Sequence, residues 1–233
     1  MFESKYNKLL TGILIFIVIA IIGLLIFLGI QYWSSINNTQ EAEDFVDNYN
    51  KDGAFVATVE ENNEENNEPV EENGEDNSKI EMNTNTTNTQ TTKTTTKPKK
   101  KEYNGFLVDG TMEIPKINLK YPVLSTNGTK QLDTALVFLY GAGLNHVGNS
   151  VIVGHNYKNG QFFSNLKKVS NGDKIYITDY EGVKKTYTIY HHFITSPDDT
   201  SFYQRDTNGK AEISLSTCTD DSSGRLIVLA KED

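Results

Sequence analysis

The chain has one cysteine, Cys218, in 233 residues. A single thiol excludes an intramolecular disulfide framework and a multi-cysteine zinc site. Arginine is nearly as scarce: only Arg205 and Arg225 occur in a lysine-rich chain. Basic charge is not in excess. The 22 Lys+Arg face 31 Asp+Glu, a formal net charge of -9, which argues against a nucleic-acid binder. Only one long apolar run is present. These averages conceal three unlike segments.

The apolar run is residues 9–30, LLTGILIFIVIAIIGLLIFLGI, and no charge falls between Lys8 and Glu41. About 20 apolar residues cross a bilayer core as a helix. The run exceeds the h-region of a cleavable signal peptide, and no small-residue cleavage site follows. Tyr32 and Trp33 suit the interfacial aromatic belt. Lys5 and Lys8 precede the run, while Glu41, Glu43 and Asp44 follow it. The positive-inside rule therefore predicts residues 1–8 in the cytoplasm, one membrane pass, and the remainder outside the cell.

Residues 31–101 read as an extracellular low-complexity linker, including ENNEENNEPVEENGEDNSK and NTNTTNTQTTKTTTKPKKK. Such a composition buries too little apolar surface to offset its ordering entropy. A short helix near Glu41–Tyr49 is the one exception expected. Residues 34–96 hold 15 acidic residues and 3 lysines, a net negative charge larger than that of the whole chain. The KPKKK cluster at 97–101 reads as a solvated charge run, contact with anionic polymer or lipid being the alternative.

Residues 102–233 have the size of one domain. Short strand-like runs appear at 105–108, 111–115, 121–125, 150–155, 174–179, 185–195, 211–218 and 225–230. Turn signals such as Asn127-Gly128, Asn159-Gly160 and Asn208-Gly209 separate them. Eight short strands predict an all-β barrel or sandwich. Short helical patterns lie at 130–139 and 161–167. No long helices alternate with the strands, which excludes a doubly wound parallel sheet.

Cys218 ends one of these strands. Alternation puts it with Ser214 and Ser216, opposite Ile213 and Leu215. Two readings fit an exported lone cysteine: a buried small hydrophobe or a reactive thiol. Arg225 follows a six-residue loop, TDDSSG. If the two strands form an antiparallel hairpin, Cys218 and Arg225 oppose each other at its mouth. A guanidinium there favours a thiolate and can meet a developing oxyanion. A thiol nucleophile also needs a base. Of His146, His155, His191 and His192, His155 alone sits at a strand end followed by a loop, as Cys218 does.

The string Ser214-Leu215-Ser216-Thr217-Cys218 resembles the T-L-x-T-C signature of sortases. Arg225 on the next strand resembles the sortase arginine, and 148–155, GNSVIVGH, resembles the segment ending in Gly-His. Met112–Ile117 and Tyr121-Pro122-Val123 resemble the family's first strands. The resemblance implies a sortase-like eight-stranded β-barrel with short helices, preceded by one transmembrane helix and a disordered linker. It implies a cysteine transpeptidase on the outer face of a Gram-positive-type membrane. Such an enzyme cleaves an LPxTG-like C-terminal sorting signal of a surface protein, through a thioester on Cys218. A cell-wall precursor amine then resolves the thioester. His155 would act as acid and base, and Arg225 would hold the oxyanion. Thr217, Ser216 and Asn156 would border the substrate. Asn156 after the histidine and the Ser216-Thr217-Cys218 triplet resemble class B; the short 195–210 connection resembles class D.

The resemblance implies no cofactor. Asp198 and Asp199 could meet Ca2+, but two adjacent carboxylates supply too few ligands. The competing reading is a wall-associated thiol peptidase that hydrolyses without amine transfer. Papain-like peptidases place Cys before His along the chain, the reverse of the order here. A third reading is a non-catalytic binding module on a tether.

Overall fold

The computed structural model describes residues 2–61, 98–125 and 128–233. A long helix α1 (Phe2–Glu61) precedes nine strands. They are β1 (Glu102–Tyr103), β2 (Phe106–Ile114), β3 (Leu119–Leu124), β4 (Leu136–Tyr140), β5 (Gly148–Val153), β6 (Lys174–Asp179), β7 (Lys184–Thr195), β8 (Ala211–Cys218) and β9 (Arg225–Glu232). A six-residue helix α2 (Thr129–Thr134) lies between β3 and β4.

Eight strands close a ring in the order β2-β3-β4-β5-β8-β9-β7-β6, and β6 pairs back onto β2. Closure leaves no free edge among those eight. β1 adds two residues to β2 outside the ring. Most pairs are antiparallel; β3–β4 and β5–β8 are parallel. The interior is filled by alternate residues of each strand, among them Met112, Leu136, Ile152, Ile177, Ile213 and Leu215. A second apolar cluster lies on another face of the barrel, where Phe202 of the 196–210 connection covers Val151, Ile227 and Leu229.

The sequence predicts eight strands, and the ring has eight, but three local readings differ. The runs at 105–108 and 111–115 are one strand, β2. Asp109-Gly110 resembles a turn, yet a Cβ on Gly110 would lie 2.3 Å from the Thr178 oxygen. Glycine there permits the close approach of β6 and marks a register shift in the β2–β3 pairing. The helix expected over 130–139 ends at Thr134, and its second half is β4. Leu136 and Val137 are fully buried there, Phe138 and Leu139 half-buried, and five successive apolar residues show no alternation. The helix expected at 161–167 reduces to a 3-10 turn at Leu166–Lys168. Asn159 Oδ1 accepts the Gln161 N–H, and Phe162 holds a positive φ of 48°. Both features keep that loop out of a helix.

The expected linker gives way at its start. Residues 31–61 continue α1 instead of forming a low-complexity spacer. The short helix foreseen near 41–49 is the part that docks. Ala42, Phe45, Val46 and Tyr49 recur at helical spacing and face β2 and β3. Ala42 and Val46 are fully buried. Phe45 meets Tyr103 edge-on at 5.0 Å. Thr111 donates to Asn50 Oδ1 (2.8 Å), and Asn50 donates to Glu113 (2.9 Å). Lys120 pairs with Asp47 at 2.6 Å. One apolar stripe was thus hidden in acidic composition. The KPKKK cluster is also tied down at its end: Lys100 pairs with Asp109, and Lys101 pairs with Asp52, each at 2.5 Å. The linker expectation for 62–97 lies outside the described residues.

The apolar part of α1 remains exposed all round, from Leu9 to Ile30. It is long and apolar enough to cross a membrane.

Candidate active site

The register of three strands assembles the site. β8 and β9 pair antiparallel with Cys218 opposite Arg225, the hairpin mouth the spacing predicts. β5 and β8 run parallel, with Val153 beside Ser216. Two residues further along each chain stand His155 and Cys218. The Gly154 N–H donates to the Ser216 carbonyl (3.3 Å), and the Thr217 hydroxyl donates to the Gly154 carbonyl (2.8 Å). These bonds carry the pairing past the end of β5. Glycine is required at 154, because a Cβ would stand 2.6 Å from Leu136 and 2.9 Å from Phe163. Any larger residue would force those side chains or the backbone before His155 to shift.

Cys218 is a free, half-buried thiol. It borders a pocket of about 200 Å³ whose walls include Phe163, Ile194, Leu226 and Thr217. Ile194 projects into solvent beside it. An apolar pocket at a nucleophile suits an aliphatic side chain. Ser216 is buried two residues before Cys218 on the same face. Arg225 is half-buried and donates to the Gly224 carbonyl at 3.2 Å.

Asn156 has a structural task. Its amide donates to the Cys218 carbonyl and to Asp220 Oδ1, each at 3.0 Å, and its oxygen accepts the Lys158 N–H. It ties the loop after His155 to the loop after Cys218. Lys167 reinforces that tie with an ion pair to Asp220 at 2.5 Å. The Lys167 and Asn156 bonds hold the Asp220 carboxyl below its ordinary range.

His155 presents Nε2 to Asp133 Oδ1 at 3.2 Å, and its ring stacks on Tyr157 at 4.7 Å. The Tyr157 hydroxyl donates to the same oxygen at 3.0 Å. Burial, then the bond to Asp133, pushes the Tyr157 hydroxyl up to about 12. It therefore remains a donor across the neutral range. Sequence reasoning missed both residues. Asp133 lay within a helical pattern and Tyr157 within a loop; neither carries a spacing signal toward His155.

The second apolar cluster is pinned by a polar network. Arg205 donates to Glu212 (2.9 Å), Ser214 (2.6 Å) and the Phe202 carbonyl (3.0 Å). Asn149 donates to the Phe202 and Tyr203 carbonyls and accepts from Ser214. The other arginine of the chain thus anchors the 196–210 connection to β8. His146 bonds to the Leu144 carbonyl in its own loop, while His191 and His192 are exposed on β7. Asp199 is engaged by the Thr195 hydroxyl and the Ser201 N–H. Among the described residues, no group of three or more His, Cys, Asp or Glu is placed to hold a metal.

A family model described as a sortase domain matches residues 112–233. The chain is 32% identical to Sortase A of Bacillus anthracis over 124 residues, covering 52% of this chain and 58% of that protein. It is 29% identical to Sortase A of Streptococcus agalactiae over 137 residues, covering 53% and 52%. The chain thus spans little more than half the length of either relative. The fold is similar to that of sortase A from Corynebacterium diphtheriae, with a TM-score of 0.50, 32% identity, and coverage of 55% of this chain and 61% of that one. The matched region runs from the last residues of β2 through the other seven ring strands and includes His155, Cys218 and Arg225, and on that basis this chain belongs to the sortase family.

Proposed function

We propose that this sortase is a membrane-anchored cysteine transpeptidase. It would cleave an LPxTG-like C-terminal sorting signal and transfer the surface protein to a cell-wall amine. The observation that supports it most is the pairing of Cys218 with Arg225 at the end of the strand that neighbours His155. The Cys218 thiolate attacks the scissile carbonyl, and Arg225 meets the oxyanion with its planar donor fork. His155 gives its proton to the leaving amine as the C–N bond breaks, which leaves a thioester. The incoming amine then attacks, His155 takes its proton, and the C–S bond breaks to restore the thiolate. The apolar pocket beside Cys218 suits an aliphatic residue of the signal. The α1 helix would hold the barrel at the outer membrane surface, with residues 1–8 in the cytoplasm.

The test uses the full chain in detergent or bilayer discs with a library of sorting-signal peptides and a peptide amine. Cleavage coupled to amide product supports the proposal. Release of free acid alone, with the amine present, would point to a hydrolase instead. No cleavage of any signal would sink the reading.

A further inference from the structure

We propose that Asp133 and Tyr157 are positioning residues that fix the tautomer of His155, leaving Nδ1 as the nitrogen that exchanges protons at Cys218. The inference rests on the transpeptidase reading for its kinetic consequence, but not for its structural one. Its basis is the pair of contacts on the imidazole. Asp133 Oδ1 lies 3.2 Å from Nε2. An ionised carboxylate can only accept, so Nε2 must carry hydrogen. In the neutral ring Nδ1 is then the lone-pair nitrogen.

Two constraints hold that arrangement. Tyr157 lies on the ring face at 4.7 Å with planes 28° apart, which restricts tilt. Its hydroxyl donates to the same Asp133 oxygen, which holds the carboxylate toward the ring. Asp133 is itself carried on α2, near the C-terminal end of a helix fixed between β3 and β4. The register brings the end of β5, which leads into His155, beside the end of β8, which carries Cys218. With Nε2 occupied by Asp133, proton traffic falls to Nδ1. During acylation the Nδ1–H is delivered to the nitrogen that leaves the peptide. During resolution the bare Nδ1 takes the proton of the attacking amine. The hydrogen stays on Nε2, donated to the Asp133 carboxylate, through both steps, as with an orienting carboxylate beside a general base.

The test has two readouts on the full chain. With 15N-labelled histidine, the neutral His155 ring should show the Nε2–H form. In Asp133→Asn the ring should shift toward a mixture, since an amide can both donate and accept. Kinetically, Asp133→Asn should lose at least about 10-fold in kcat, with KM for the sorting peptide changed little, because general acid–base catalysis is worth roughly 10²- to 10⁴-fold. Asp133→Glu should recover part of the loss, and Tyr157→Phe should keep the stack but lose a smaller factor. An Nδ1–H ring in the wild type overturns the proposal whether or not any peptide is turned over. So does an Asp133→Asn variant with unchanged kcat in an enzyme that transfers peptides. If the variant fails to fold, the wild-type spectrum alone decides.

Discussion

At the scale of single residues, the chemistry turns on Cys218 and the groups that flank it. Arg225 opposes it across a hairpin that the spacing made readable, since a loop of six residues between two alternating runs leaves little freedom of register. His155 was readable from its place at a strand end. Asp133 was not, because its contact with His155 crosses from α2 to the β5 end and has no local period. Asn156, expected from resemblance to border the substrate, lines the pocket beside Cys218, and its amide also bonds the Cys218 carbonyl and Asp220. Arg225→Ala should lower kcat by about 10²- to 10³-fold, the scale of losing an oxyanion donor. Arg225→Lys should recover only part, because an ammonium keeps the charge but not the fork. Steady-state kinetics on one sorting peptide checks both variants. Full activity in Arg225→Lys would show that charge alone suffices.

At the scale of elements, the same physics explains what the sequence showed and concealed. Alternating runs with clear turns, such as β7 and β8, were legible. β4 was not, because its five successive apolar residues, LVFLY, have no period to read. The docking turn of α1 was half legible: its four apolar positions stand among acidic residues that dominate any average. Val46 is fully buried against the barrel, so Val46→Asp should unseat this part of the helix. Amides of residues 39–52 should then exchange faster, and Tm should fall by about 2–4 °C for each kcal/mol lost. Unchanged exchange would mean the helix contributes nothing to the barrel.

The loop between β8 and β9 makes a separate prediction. Bonds from the Thr219 hydroxyl and from Ser223 hold the Asp221 carboxyl down to about 2. An ordinary unfolded carboxyl titrates near ~3.9. Its contribution is therefore fully present above about pH 4 and lost as pH falls through about 2. Amide exchange at Ser223 and Gly224, corrected for intrinsic rates, should accelerate across that window. Asp221→Asn should remove the acid dependence. A loop equally protected at pH 5 and pH 2 would contradict it.

At the scale of the molecule, α1 changes how the site is presented. The sequence reads as a barrel on a long tether beginning at residue 31. The described helix runs unbroken from its apolar part to Tyr49, which is seated on the barrel. Ala42 stands nine positions after Trp33, roughly 13 Å of helix at about 1.5 Å per residue. If the apolar part spans the membrane, the barrel is held at a set height rather than roaming on a spacer. The substrate and the amine would both meet Cys218 near the membrane surface. The proposed transfer depends on covalent chemistry at one atom, the Cys218 sulfur. The most direct measurement is intact and peptide-level mass spectrometry of the full chain after mixing with a sorting-signal peptide. The account predicts an acyl adduct on Cys218 that disappears on adding the amine, as peptide–amine product forms, and that never appears in Cys218→Ala. Cleavage that persists in Cys218→Ala, or an adduct at any other residue, would contradict it.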